Sequence, residues 1–124
     1  MQNNTNKTKD IKQRTFEFSL KIIQFISKLP NQKIYWSLGD QLLRSGTSIG
    51  ASVIEGQGSS SRKEFINFVR IAFKSAKETE YWLKLFKESK LCINSEIDYL
   101  IQESIEITKI LNSSILTLKK NLTK

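Results

Sequence analysis

Four cations recur at steps of seven in one stretch of the chain: Lys63, Arg70, Lys77 and Lys84. On a helix a period of seven drifts by only about 20° per repeat, so the four line one gently slanting stripe. Lys74 joins the stripe, and Tyr81 falls within it one turn after Lys77. Basic side chains spaced along a helix, with an aromatic ring among them, can track a phosphate backbone. The ordinary alternative is a solvated outer helix face.

Other chemistry is restricted by what the chain lacks. There is no His, which excludes Ser-His-Asp and Cys-His nucleophiles and the Glu-x-x-His arrangement of di-iron bundles. The single Cys92 can form neither an internal disulfide nor a multi-Cys zinc site; it reads as a small apolar residue near a helix end. The loop from Gly56 to Lys63 precedes a helix N-terminus, where anions are favoured. Gly56-x-Gly58 has Ser61 where a dinucleotide fingerprint has its third Gly, with no strand before it and no Gly-Lys-Ser/Thr after it. A helix C-cap followed by a capping box explains these residues more simply. No metal site, no cofactor and no catalytic residue are expected, and the chain reads as a non-enzyme.

Arg44, Ser48, Ala51, Ser52 and Glu55 share one polar side of a predicted helix. Arg44 and Glu55 are three turns apart and cannot pair with each other. Asp40 and Glu78 are the candidate partners of Arg44. Pairing between helices or subunits is the favoured reading over a ligand site. Glu103 and Glu106 read as solvated.

These groups need a scaffold, and the apolar periodicity supplies it. The 124 residues, 39% hydrophobic and 26% charged, suit one globular domain. Residues 1–9 are polar, read as a frayed tail and lack the apolar middle of a signal peptide. No apolar run approaches the length of a membrane span, so the expected location is the cytoplasm. The single domain is expected over residues 10–122, with helices at about 10–29, 34–57, 61–89 and 95–121. The first has its seam at Ile11, Thr15, Phe18, Ile22, Phe25 and Leu29, an N-cap at Asp10 and a stop at Pro30.

The second has the seam Leu38, Leu42, Ser45, Ile49, Ser52 and Gly56, with another stripe at Trp36, Leu43, Gly50 and Ile54. Two stripes imply more than one neighbour. Gly46 and Gly50 are four apart and present a flat strip that lets a neighbouring backbone approach. Together they cost roughly 2 kcal/mol of helix propensity relative to Ala, so a loop over Ser45–Gly50 is the competing reading. The third helix opens on a capping box, Ser61 to Glu64, and has the seam Phe65, Val69, Ala72, Ala76, Thr79, Leu83 and Phe86. Ser95 to Asp98 reads as a second capping box. The fourth seam is Ile97, Ile101, Ile105, Thr108, Leu111, Ile115, Leu118 and Leu122. The fold class is all-α, an up-down-up-down antiparallel four-helix bundle.

The run Leu42-Leu43-Arg44-Ser45-Gly46-Thr47-Ser48-Ile49-Gly50-Ala51, then Glu55-Gly56, Ser61-Arg62-Lys63-Glu64-Phe65 and Ala72…Ser75…Glu78…Tyr81-Trp82-Leu83, resembles the small four-helix bundles encoded within intervening sequences of bacterial 23S rRNA genes. The likeness spans roughly Thr15 to Leu118. It departs at Ser52, where the family commonly has Asn, and at Ile54, where Ala is frequent. The resemblance implies an all-helical bundle, a ring-like homo-oligomer of five subunits and no enzymatic activity. A related group, the accessory proteins of diversity-generating retroelements, is similar in fold, basic, and associated with RNA and a reverse transcriptase.

The net charge of +8 favours nucleic acid, anionic lipid or an acidic partner. Two functional readings follow. In the first, an oligomeric bundle meets RNA or DNA phosphates through Lys63, Arg70, Lys74, Lys77 and Lys84 with Tyr81, while Arg44, Gly46, Gly50, Ile54, Glu55 and Glu78 serve helix packing or subunit contact. In the second, the bundle is a scaffold or adaptor for another protein. A membrane surface is disfavoured, because the apolar faces are needed for the bundle.

Overall fold

The computed structural model describes residues 10–122. It comprises α1 (Ile11–Ser27), α2 (Lys33–Gly56), α3 (Arg62–Glu88) and α4 (Ser95–Leu122). The expected tail, residues 1–9, lies outside the described residues, as does the side chain of Leu122. Cross-helix neighbours run in opposite directions at each seam. Gly39, Gly46 and Gly50 of α2 meet Ile26, Ile22 and Thr15 of α1 in that order. Ser45 and Ser48 meet Thr79 and Ser75 of α3. Arg14 of α1 and Lys28, just past its end, meet Glu103 and Glu96 of α4. Each helix touches its two neighbours around the ring and not its diagonal partner, which is the up-down-up-down bundle.

The helix ends follow local chemistry. The Asp10 carboxylate accepts from the Gln13 N–H at 2.8 Å and caps α1. α1 ends at Ser27, short of the expected boundary, because the Lys28 and Leu29 N–H groups turn back to Phe25 and Ile26 ahead of Pro30. Ser61 caps α3 by accepting from the Glu64 N–H at 3.1 Å. The reciprocal half differs from the expected box: the Glu64 carboxylate reaches Ser60, taking its N–H at 2.8 Å and its hydroxyl at 2.9 Å. These bonds hold the Glu64 carboxyl below its ordinary pKa. At α4 the expected box is replaced. Asn94, a good N-cap residue, accepts from the Ile97 N–H at 3.0 Å, and Asp98 is engaged by Lys87 at 2.6 Å.

The core is apolar and continuous from Phe18, Ile22 and Phe25 through Leu42, Ile49 and Val53 to Leu83, Phe86, Leu100 and Ile107. The first three seams follow the predicted steps through their middles, but Ile11, Leu29, Leu38 and Phe65 are only half-buried, and Ile66 is buried on α3 beside Phe65. The α4 seam is rotated. Ile97, Leu100, Ser104, Ile107, Leu111 and Ile115 are buried, while Ile101, Ile105 and Thr108 flank them. An all-apolar reading avoids Ser104, yet its hydroxyl satisfies itself on the Ile101 carbonyl at 2.7 Å and so costs little to bury.

The glycine strip is helical and its first neighbour is α1. A Cβ at Gly46 would stand 3.0 Å from two Ile22 carbons, and one at Gly50 would stand 3.3 Å from the Thr15 carbonyl oxygen. The loop reading of Ser45–Gly50 is thereby excluded. The other members of the second stripe are exposed: Trp36, Leu43 and Ile54 at 58%, 36% and 55%.

Candidate nucleic-acid interface

α3 carries the interface and the rest of the bundle holds it. Its inner face, Val69, Ala72, Ala76, Thr79 and Leu83, is buried. Hydroxyls lock α3 to α2. Thr79 donates to Ser45 at 2.9 Å, and the Ser48 and Ser75 hydroxyls lie 3.0 Å apart. At the rim, the Glu78 carboxylate accepts from both Arg44 of α2 and Trp82 of its own helix. Partial desolvation raises the Glu78 pKa; the hydrogen bonds from Trp82 and Arg44, with the Arg44 charge, outweigh it and leave the net value below the ordinary one. Of the two candidate partners for Arg44, the structure selects Glu78 over Asp40.

The outer face of α3 is cationic. Lys63, Arg70, Lys74, Lys77 and Lys84 are all exposed. Lys84 pairs with Glu80 at 2.7 Å, so its charge is partly compensated. Lys63, Arg70, Lys74 and Lys77 have no ion pair among the described residues. Tyr81 is 58% exposed and is steadied by an edge contact with Trp82, ring centroids 5.2 Å apart. The face therefore offers four uncompensated cations followed by one supported aromatic ring. No group of acidic, His or Cys side chains among the described residues could hold a metal ion.

The residues assigned to packing or assembly separate into two sets. Gly46 and Gly50 pack on α1, and Arg44 pairs with Glu78, all within one chain. Ile54 and Glu55 are exposed. They border a groove of about 730 Å³ whose opposite edge is Phe16 of α1 and whose floor includes Gly50 and Ala51.

Three features are absent from the sequence reading. Glu103 is not solvated: it accepts two bonds from Arg14, at 2.7 and 2.9 Å, and its side chain is 14% exposed. That bond is the largest reason the Arg14 pKa is raised, ahead of an opposing desolvation. Phe16, Leu20 and Ile23 form an exposed ridge on α1; their four-and-three spacing beside the α1 seam was the available signal. Finally, an apolar cleft opens between the ends of α2, α3 and α4, which no single helix pattern reveals. Cys92 is half-buried, and burial pushes its thiol pKa up, as suits a packing residue.

A sequence profile of the family described as 23S rRNA-intervening sequence protein matches residues 7–113. The chain belongs to that family. Its fold is shared with a crystal structure of a protein of unknown function from the S23 ribosomal protein family of Bacteroides thetaiotaomicron VPI-5482. The TM-score is 0.80 at 38% identity, covering 86% of this chain and 98% of the other. No curated protein matches the chain. Among the described residues of this 23S rRNA-intervening sequence protein, no helix is long and apolar enough to cross a membrane.

Proposed function

We propose that the protein is a non-enzymatic, cytoplasmic, self-associating bundle that binds RNA through phosphate contacts on the outer face of α3. The observation that carries this reading is the row of uncompensated cations, Lys63, Arg70, Lys74 and Lys77, on a helix whose inner face is locked to α2. A locked helix keeps the spacing of its charges, so less is lost to side-chain and backbone ordering on binding. Tyr81 supplies a surface on which a base can stack. Self-association multiplies individually weak contacts. For that role, Ile54 and Glu55 with the α1 ridge form the surface still available after the bundle is built.

The test is a titration of single-stranded RNA at several salt concentrations on protein of known oligomeric mass. Replacing Arg70, Lys74 and Lys77 together by Gln should weaken binding by about tenfold or more at low salt. The slope of log affinity against log salt should become shallower by about 0.7 per lost phosphate contact. Unchanged affinity and slope would remove α3 from the interface.

The second reading is a scaffold for another protein. The exposed apolar ridge Phe16, Leu20 and Ile23 beside Ile54 favours it. A protein partner recovered after nuclease treatment, and lost with Leu20→Glu, would support the scaffold over RNA binding.

A further inference from the structure

Among the described residues, five polar ones are buried: Thr15, Ser45, Ser52, Thr79 and Ser104. Four of them satisfy their hydroxyls. Thr15 and Ser104 each donate to a carbonyl in the preceding turn at 2.7 Å, and Thr79 donates to Ser45 at 2.9 Å. Ser52 is the exception. It is 4% exposed and makes no side-chain hydrogen bond among the described residues, and its hydroxyl oxygen is open to the cleft and not sealed in the core.

Ser52 lines the apolar cleft of about 590 Å³. The cleft exists because the helices are unequal: α1 has 17 residues and α4 has 28. Arg14 is level with Glu103, so α4 runs past the first turn of α1 with no described α1 residue alongside. Its floor is Val53, Val69 and Leu111, and its walls include Ile11, Phe65 and Leu118. Lys109 is the one charged side chain lining it among the described residues. It is 70% exposed and only 3.9 Å from its nearest carboxylate oxygen, on Glu106. The nine residues before Asp10 contain no apolar residue except Met1, so the chain's own N-terminal segment is a poor chemical match for such a surface.

A concave apolar site of this size, with few polar groups, has the character of a small-molecule pocket. We propose that the cleft binds a single-chain amphiphilic carboxylate of the fatty-acid class. The carboxylate accepts from the Ser52 hydroxyl and is attracted by Lys109, while the alkyl chain lies over Val53, Val69 and Leu111. Its α3 lining is Phe65 and Val69 and includes none of the exposed cations of that helix, so it stands independently of RNA binding.

Decanoate, titrated calorimetrically below its micellar range into the full chain, should saturate one site per chain. Ser52→Ala should weaken it about tenfold, by loss of a bond to a charged acceptor. Lys109→Gln should weaken it about threefold, as an exposed charge contact, and leave decanol unaffected. Ser114→Trp, which fills the cleft from α4, should weaken both probes at least about tenfold by excluding the chain from apolar surface. Thr117→Trp serves as a second blocking variant should the first lower the thermal melt. No saturable binding to the unaltered protein would overturn the proposal. So would unchanged affinity in a folded blocking variant. If decanoate fails to bind and the folded blocking variant loses oligomeric mass by light scattering, a second copy covers the cleft and the proposal is wrong.

Discussion

The two seams made by α2, with α1 and with α3, are built from small side chains; the α1–α4 seam is spanned by long polar ones. Gly46 and Gly50 bring α2 onto α1, and Ser45 and Ser48 meet Thr79 and Ser75 of α3. At the α1–α4 seam, where contact is sparsest, Arg14 clasps Glu103, Lys28 reaches Glu96 at 3.0 Å, and Lys21 stands 5.5 Å above the Tyr99 ring. Where backbones come close, dispersion and shared hydroxyls fix the spacing, and any added atom must displace something. Where they stand apart, long side chains bridge the gap and leave space beyond their reach. The first kind of seam makes α3 a rigid carrier of its cations. The second leaves the cleft.

The contrast can be broken most sharply at Gly50. Gly50→Leu should cost about 3 kcal/mol, because its side chain must enter the Thr15 backbone. Gly50→Ala should cost far less, since about 1 kcal/mol of helix propensity offsets its tighter contact. Chemical unfolding measures both; equal stability of the Leu variant and the parent would show that α1 does not need the strip. At the other seam, Arg14→Ala should cost about 1–2 kcal/mol, by leaving the sheltered Glu103 carboxylate without its donor. Hydrogen exchange should rise first in α1. Protection lost uniformly through all four helices would instead mean that the clasp is not local.

Thr79→Val removes one hydroxyl from the α2–α3 seam at nearly constant shape. It should cost about 1 kcal/mol in the same unfolding assay; a stabilised variant would show that packing, not the Thr79–Ser45 bond, holds that seam. The smallest effect is acid sensitivity. Glu78 has a folded pKa below its unfolded value of about 4.5. Its stabilising contribution is therefore complete above that value and is lost as pH falls through the folded pKa. Melts at pH 7 and pH 3 should differ less for Glu78→Gln than for the parent. An identical pH difference would remove Glu78 from the rim contact.

Much of this architecture is legible in one dimension. The step pattern of α1, α2 and α3 is that of their buried faces, because a helix repeats its side-chain directions locally. The Ser61 cap and the exposed stripe from Lys63 to Lys84 follow from the same periodicity. α4 is the instructive failure. Ser104 looks misplaced in a seam until its own backbone is seen to satisfy it, and then Leu100 and Ile107 fall into line with it. The Asn94 cap was hidden by a plausible Ser95 one residue later.

What the sequence by itself determined is therefore the class of fold, the central faces of α1, α2 and α3 and the charge on α3, all properties of residues a few positions apart. Tertiary structure alone decided the pairs between distant residues: that Arg44 meets Glu78 and not Asp40, that Glu103 is sheltered by Arg14, that the glycine strip receives α1. It alone decided that Ser52 opens onto a cleft. Which groups meet across a seam depends on the relative length and level of two helices. A hydrophobic period carries no record of either.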